Sequence, residues 1–104
     1  MAKMDEKEIE GQAAEALFKA VAKLETVDEC RRFFRDLCTL AELKAMIERF
    51  QVAALVLKEE PYREINRKTG VSTATITRVA YWLHHGLGGY KLALSRAQKE
   101  KQSK

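Results

Sequence analysis

Apolar residues recur along the first quarter of the chain with a helical period. Ile9, Ala13, Leu17, Ala20 and Leu24 step by four, four, three and four, which marks one face of an α-helix. The pattern predicts a helix over 5–24 with an exposed face rich in Glu and Lys. Its alanine-rich stripe suits close approach of another helix. That helix could belong to a second subunit or to the same domain. A second stripe, Val27, Cys30, Phe34 and Leu37 with Phe33 beside it, predicts a helix ending near Cys38. Thr26 and Glu29 are spaced as a capping box, the hydroxyl bonding forward and the carboxylate reaching back. Arg31, Arg32 and Arg35 fall on the other face, where Asp28, Glu29 and Asp36 can neutralise them.

A second capping box, Thr39 to Glu42, opens the longest regular run. Leu43, Ile47, Phe50, Ala54 and Leu57 step by four, three, four and three, with Met46 and Ala53 alongside. This predicts a helix over about 40–58 whose broad apolar face forms the central core or a dimer spine. Leu55 and Val56 extend the apolar surface almost round its end and imply burial on more than one side.

The stretch from Pro61 to His85 predicts two helices joined by a tight turn. Pro61 suits a helix start, where a missing N–H costs nothing. Ile65 is the apolar contact of the first helix, and Gly70 can take the left-handed conformation that ends one. Ser72 then caps the next helix through its hydroxyl. Ile76, Val79 and Leu83 face inward, which leaves Thr73, Ala74, Thr77, Arg78 and Tyr81 outside. A short helix, a Gly turn and a second helix make a helix-turn-helix, whose second helix enters the major groove of DNA. Gly86 ends that helix. Tyr90, Leu92, Ala93, Leu94 and Ala97 open a last one over about 89–98, followed by a charged tail expected to fray.

Charge sharpens this picture. The 104 residues carry a net charge of +4. Residues 1–57 hold 9 Lys/Arg against 11 Asp/Glu, whereas residues 58–104 hold 10 against 4. The positive charge therefore lies on and after the helix-turn-helix, the footprint of a nucleic-acid binder. A basic solvated tail would contribute to the same count through Lys99, Lys101 and Lys104. Low Pro and Gly content favours helix throughout a single domain, 1–104.

Catalytic and metal chemistry finds no footing. Cys30 and Cys38 are eight apart, and His84 and His85 are adjacent, so no zinc-ligand spacing exists. Ser72 is a cap rather than a nucleophile. The Gly86-Leu87-Gly88-Gly89 run follows a helix, not a strand, and fails as a phosphate loop. No enzyme activity, cofactor or metal is expected. The charged segment Met1–Glu10 shows no signal peptide, and no run approaches a membrane span, so a cytoplasmic location is expected.

The binding residues follow from the second helix. Thr73, Ala74 and Thr77 lie near its N-terminus, the end that meets base edges. Threonine offers a hydroxyl to bases and a methyl to thymine. Arg63 can reach a guanine or a phosphate. Thr75 and the N–H groups after Ser72 can hold phosphates. Threonine is a mediocre helix former, so Thr73, Thr75 and Thr77 are poorly explained by stability.

The run Thr73-Ala74-Thr75-Ile76-Thr77-Arg78, preceded by Arg63-Glu64-Ile65 and Gly70 and followed by Gly86-Leu87-Gly88-Gly89-Tyr90, resembles the Trp repressor superfamily, and within it the YerC/YecD branch. The likeness covers about Leu40 to Leu94. It implies an all-α fold of about six helices and an intertwined homodimer. The N-terminal arm, about 5–38, would dimerise, and two helix-turn-helix heads, each 61–85, would face successive major grooves. It implies that the positions of Thr73, Ala74 and Thr77 face bases and that Arg63 contacts a guanine. Asn66 stands where the family's first helix carries a lysine, and Arg78 matches an arginine beside the tryptophan corepressor. The rest of that pocket departs from the family. Val79 replaces a small residue and Trp82 a serine, while Glu48 aligns with a pocket arginine, with Arg49 adjacent.

The expectation is a homodimeric regulator, a repressor, that reads a pseudo-palindromic double-stranded DNA site without gating by tryptophan. Its reading set is Arg63, Asn66, Ser72, Thr73, Ala74, Thr75, Thr77 and Arg78. The alternatives are the same fold with an effector pocket at Glu48, Arg49, Arg78, Val79 and Trp82, or a helical adaptor that binds protein.

Overall fold

The computed structural model describes residues 6–102. Among them are a 3₁₀ turn, Glu6–Ile9, and six α-helices: α1 Gln12–Ala22, α2 Val27–Leu37, α3 Leu40–Leu57, α4 Tyr62–Thr69, α5 Thr73–His85 and α6 Gly89–Gln102. No strand occurs among the described residues. The chain forms two compact units, Met1–Leu40 and Ala41–Lys104.

In the first unit, the helix expected over 5–24 is divided. Gly11 interrupts it with an extended backbone, φ −77° and ψ 175°, and becomes the N-cap of α1. A glycine inside a helix costs up to ~1 kcal/mol relative to alanine, so the chain breaks there. Ile9 consequently sits in the 3₁₀ turn instead of on the α1 stripe, and Asp5 lies outside the described residues. The Thr26 cap forms as expected, its hydroxyl accepting from Glu29 N–H at 3.1 Å. Glu29 reaches one residue further back than a strict capping box, accepting from Glu25 N–H at 2.8 Å. Asp28 pairs with both Arg31 and Arg32 at 3.4 and 3.8 Å, and Arg35 instead donates to the Cys38 carbonyl. Cys30 and Cys38 are each half-buried and are not joined in a disulfide. Although α1 and α2 each carry an apolar stripe, neither has a buried residue.

The second unit holds the core. Val52, Ala53 and Val56 of α3 meet Ile65 of α4, Val71 of the turn, and Ile76, Val79, Ala80 and Leu83 of α5. Leu55, Tyr90 and Leu94 close over them, and the Phe50 ring lies 6.5 Å from that of Tyr90. This corrects the reading of α3. The stripe through Leu43, Ile47, Phe50 and Leu57 is not its core face. Ile47 is 59% exposed and Phe50 42%. At 3.6 residues per turn, Val52 lies half a turn round from Leu43, so the buried residues occupy roughly the opposite side. Val56 is buried on the same side as Val52 and Ala53, so within its own chain α3 is buried on one side and not on several. Beyond α5, α6 continues past 98 to Gln102, so the expected tail is helical there.

Candidate nucleic-acid interface

The helix-turn-helix forms over the expected stretch. Pro61 is the N-cap of α4, one residue earlier than a first-turn position. Its carbonyl accepts from the N–H groups of Glu64 and Ile65. Gly70 ends α4 with φ 74° and ψ 0°. No atom lies within 4 Å of a Cβ built there, so only the backbone conformation demands glycine. Ser72 caps α5, its hydroxyl accepting from Thr75 N–H at 3.2 Å. The same hydroxyl donates to Thr75 Oγ1 at 3.1 Å. Gly86 ends α5 for a different reason, since a Cβ there would come 2.5 Å from the Trp82 carbonyl oxygen.

Burial on one side of α5 fixes what it presents on the other. Ile76, Val79, Ala80 and Leu83 are buried. Thr73, Ala74, Thr77 and Arg78 are exposed. Ala74, Arg78, Tyr81 and His85 form the outward stripe at steps of four, three and four, with Thr77 beside it. The Tyr81 and His85 rings lie 4.8 Å apart. That continuation to His85 escaped the sequence reading, although its four-residue spacing from Tyr81 signals it.

The charged groups sort into paired and unpaired. Arg67 donates to Glu64 through Nε, at 3.3 and 3.0 Å to its two carboxylate oxygens, and through Nη2 at 2.7 Å, and Lys68 pairs with Glu60. The Arg67 hydrogen bond, supported by the charges of Arg67 and Lys68, holds the Glu64 carboxyl below its ordinary range. The same contact raises Arg67. Arg63 and Arg78 are exposed, and they are the arginines of the helix-turn-helix without a carboxylate partner among the described residues.

Asn66 is otherwise engaged. Its amide Nδ2 donates to the Val71 carbonyl at 2.8 Å. Val79 is 2% exposed in the core, and Trp82 is half-exposed with its ring edge-on to Tyr81. Glu48 pairs weakly with Lys44 at 4.0 Å, and Arg49 is exposed. No hydrogen bond, ion pair or ring contact joins either to Arg78, Val79 or Trp82 among the described residues. A groove of about 410 Å³ lies elsewhere, between Ala54, Leu57 and Lys58 of the α3 end and Leu94, Ala97 and Gln98 of α6. No cluster of His, Cys, Asp or Glu able to hold a metal occurs among the described residues. No helix there is long and apolar enough to cross a membrane.

The family model described as Trp repressor protein matches residues 12–98. The chain belongs to the Trp repressor family. It is 37% identical over 91 residues to the uncharacterised protein YerC of Bacillus subtilis, covering 88% of each chain. Its structure is similar to that of a TrpR-like protein from Eubacterium eligens, with TM-score 0.83 and 39% identity over 88% of this chain and 95% of that one. A proposed Trp repressor from Staphylococcus aureus matches with TM-score 0.84 and 38% identity, over 92% and 96% of the two chains. The six-helix, all-α fold is the one these TrpR-like structures share. At the family level the chain is placed among regulators of the Trp repressor kind.

Proposed function

We propose that the chain is a homodimeric, sequence-specific DNA-binding repressor that is not gated by tryptophan. The observation that carries the DNA reading is the division of α5. One side is sealed into the core, and the other offers Ala74, Thr77 and Arg78 to solvent behind a capped N-terminus. Thr73, Ala74 and Thr77 read base edges. Arg63 and Arg78 meet a guanine or phosphates, and Ser72 and Thr75 order the N–H groups that meet phosphate.

Dimerisation is supported by the uncovered apolar faces. Phe18 and Leu37 are each 51% exposed, and Leu40 is 64% exposed. Two amphipathic helices without a buried residue need a partner surface, and a second copy supplies one of matching character. Two heads on such a dimer would read half-sites about 34 Å apart. Independence from tryptophan is supported by Val79 and Trp82, which put a core side chain and a bulky ring at positions where the family has small residues.

Fluorescence anisotropy with a random-sequence duplex tests the interface. Affinity should fall steeply and linearly on a log–log plot as salt rises, with a slope set by the number of phosphates neutralised. A flat salt dependence, or no binding in ~50 mM salt, would contradict the reading. Calorimetry with tryptophan and indoles should give no heat of binding; a saturable heat would favour the effector reading instead.

A further inference from the structure

The turn between α4 and α5 is closed by side chains, and we infer that Asn66 and Thr69 set the pose of α5 for base reading without touching DNA. This rests on the DNA-binding reading above. Val71 is the residue just before the Ser72 cap, and it is held at three points. Its side chain is 7% exposed in the core. Its carbonyl accepts from Asn66 Nδ2 at 2.8 Å, and its N–H donates to Thr69 Oγ1 at 3.1 Å. The Thr69 hydroxyl donates in turn to the Ile65 carbonyl at 2.7 Å, and Ile65 is fully buried. A relay therefore runs from Ile65 of α4 through the Thr69 hydroxyl to the Val71 N–H, and Asn66 ties the Val71 carbonyl separately, just ahead of the cap of α5.

The left-handed Gly70 makes this clip necessary. Glycine supplies the φ of 74° but leaves the turn free to adopt many others. The backbone bond from Gly70 N–H to the Asn66 carbonyl ends α4, yet it does not reach Val71. The two side chains close that gap. Thr73, Ala74 and Thr77 lie within the first two turns after Val71, so any roll of α5 about its axis moves all three together. Hydrogen bonds to base edges weaken steeply with misalignment, whereas phosphate contacts by flexible cations tolerate it. The clip thus acts on specificity. Asn66, at a position suggestive of a phosphate contact, has its donor turned into the turn instead.

The test compares Thr69→Val, Thr69→Ser and Asn66→Ala on a selected duplex and a random one across a salt series. Thr69→Val and Asn66→Ala should each lose about tenfold in affinity for the selected duplex, as expected for a lost hydrogen bond or two. Affinity for the random duplex and the salt slope should not change. Thr69→Ser retains the hydroxyl and should behave as the unaltered protein. A salt slope lower by about one in Asn66→Ala would make it a phosphate contact and overturn the inference. A Thr69→Ser variant as weak as Thr69→Val would do the same, by moving the effect to the lost methyl. Hydrogen exchange on the unaltered protein needs no variant to fold: the Val71 amide should be protected like the core amide of Ile76, and exchange at loop rates would overturn the clip. An unaltered protein that selects no duplex would instead defeat the DNA reading, and the exchange rates would still report on the clip.

Discussion

At the scale of single residues, the proposed function assigns separate jobs to groups on the outer face of α5. Thr77 is exposed beside the outward stripe, close enough to the N-terminus to reach base edges. Thr77→Ala should change preference at one base pair of each half-site, by roughly 1–3 kcal/mol, read by competition with substituted duplexes. An unchanged preference would remove Thr77 from the reading face. Lys91 and Arg96 are exposed on α6, and Lys91→Ala and Arg96→Ala should instead weaken all duplexes alike and lower the salt slope by about one each. The outward position of Thr73, Ala74 and Thr77 was legible in the sequence, because helical periodicity alone sorts inside from outside. The occupation of Asn66 by Val71 was not legible. An amide five residues from its acceptor bonds across a left-handed turn, and nothing in periodicity encodes that contact. The Glu64–Arg67 pair makes a further prediction. Because the Glu64 carboxyl is depressed in the folded state, its contribution is present above the unfolded pKa and is lost as pH falls through the folded one. The pair is exposed, so the effect is small and screened by salt. The difference in thermal midpoint between the unaltered protein and Glu64→Gln should shrink as pH is lowered through the carboxylate range, and shrink again in high salt.

At the scale of elements, the helix-turn-helix depends on a few backbone decisions. Glu59, in the turn that leads to α4, has φ 61° without being glycine. Glu59→Gly relieves left-handed strain and should stabilise the fold by roughly 0.5–1 kcal/mol, after the entropy that glycine adds to the unfolded chain. Gly70→Ala does the reverse and should cost about 1 kcal/mol from conformation alone, because the space around it is open. Ile65→Ala empties a fully buried position and should cost about 2–5 kcal/mol. Denaturant unfolding orders the three. The boundaries of α2, α4 and α5 followed from caps and from Gly70, signals that act over a few residues and are visible in any sequence. The break at Gly11 was visible too, but the periodicity running across it masked it. The core face of α3 was the least legible. Ile47 and Phe50 set the stronger apolar period, and a helix with apolar residues on two sides does not reveal from its sequence which side its own chain will cover.

At the scale of the whole molecule, the same two-sided α3 argues for assembly. The face that its own chain leaves open, with the apolar stripes of α1 and α2, is suited to a second copy. Ile47→Glu and Phe50→Glu each place a charge on that face and should lower the molecular mass in sedimentation from dimer toward monomer. Both should abolish two-headed binding, while the α4–α5 core, which they do not enter, keeps its fold. Net positive charge concentrated after residue 57 would then be presented twice, once per head, to one duplex. The most direct measurement is selection from random duplexes at low salt, with the bound sequences read out. A two-fold symmetric site should be enriched, with half-site centres about one helical turn, 10–10.5 base pairs, apart. Enrichment of no sequence, or only of an asymmetric single site, would contradict the account.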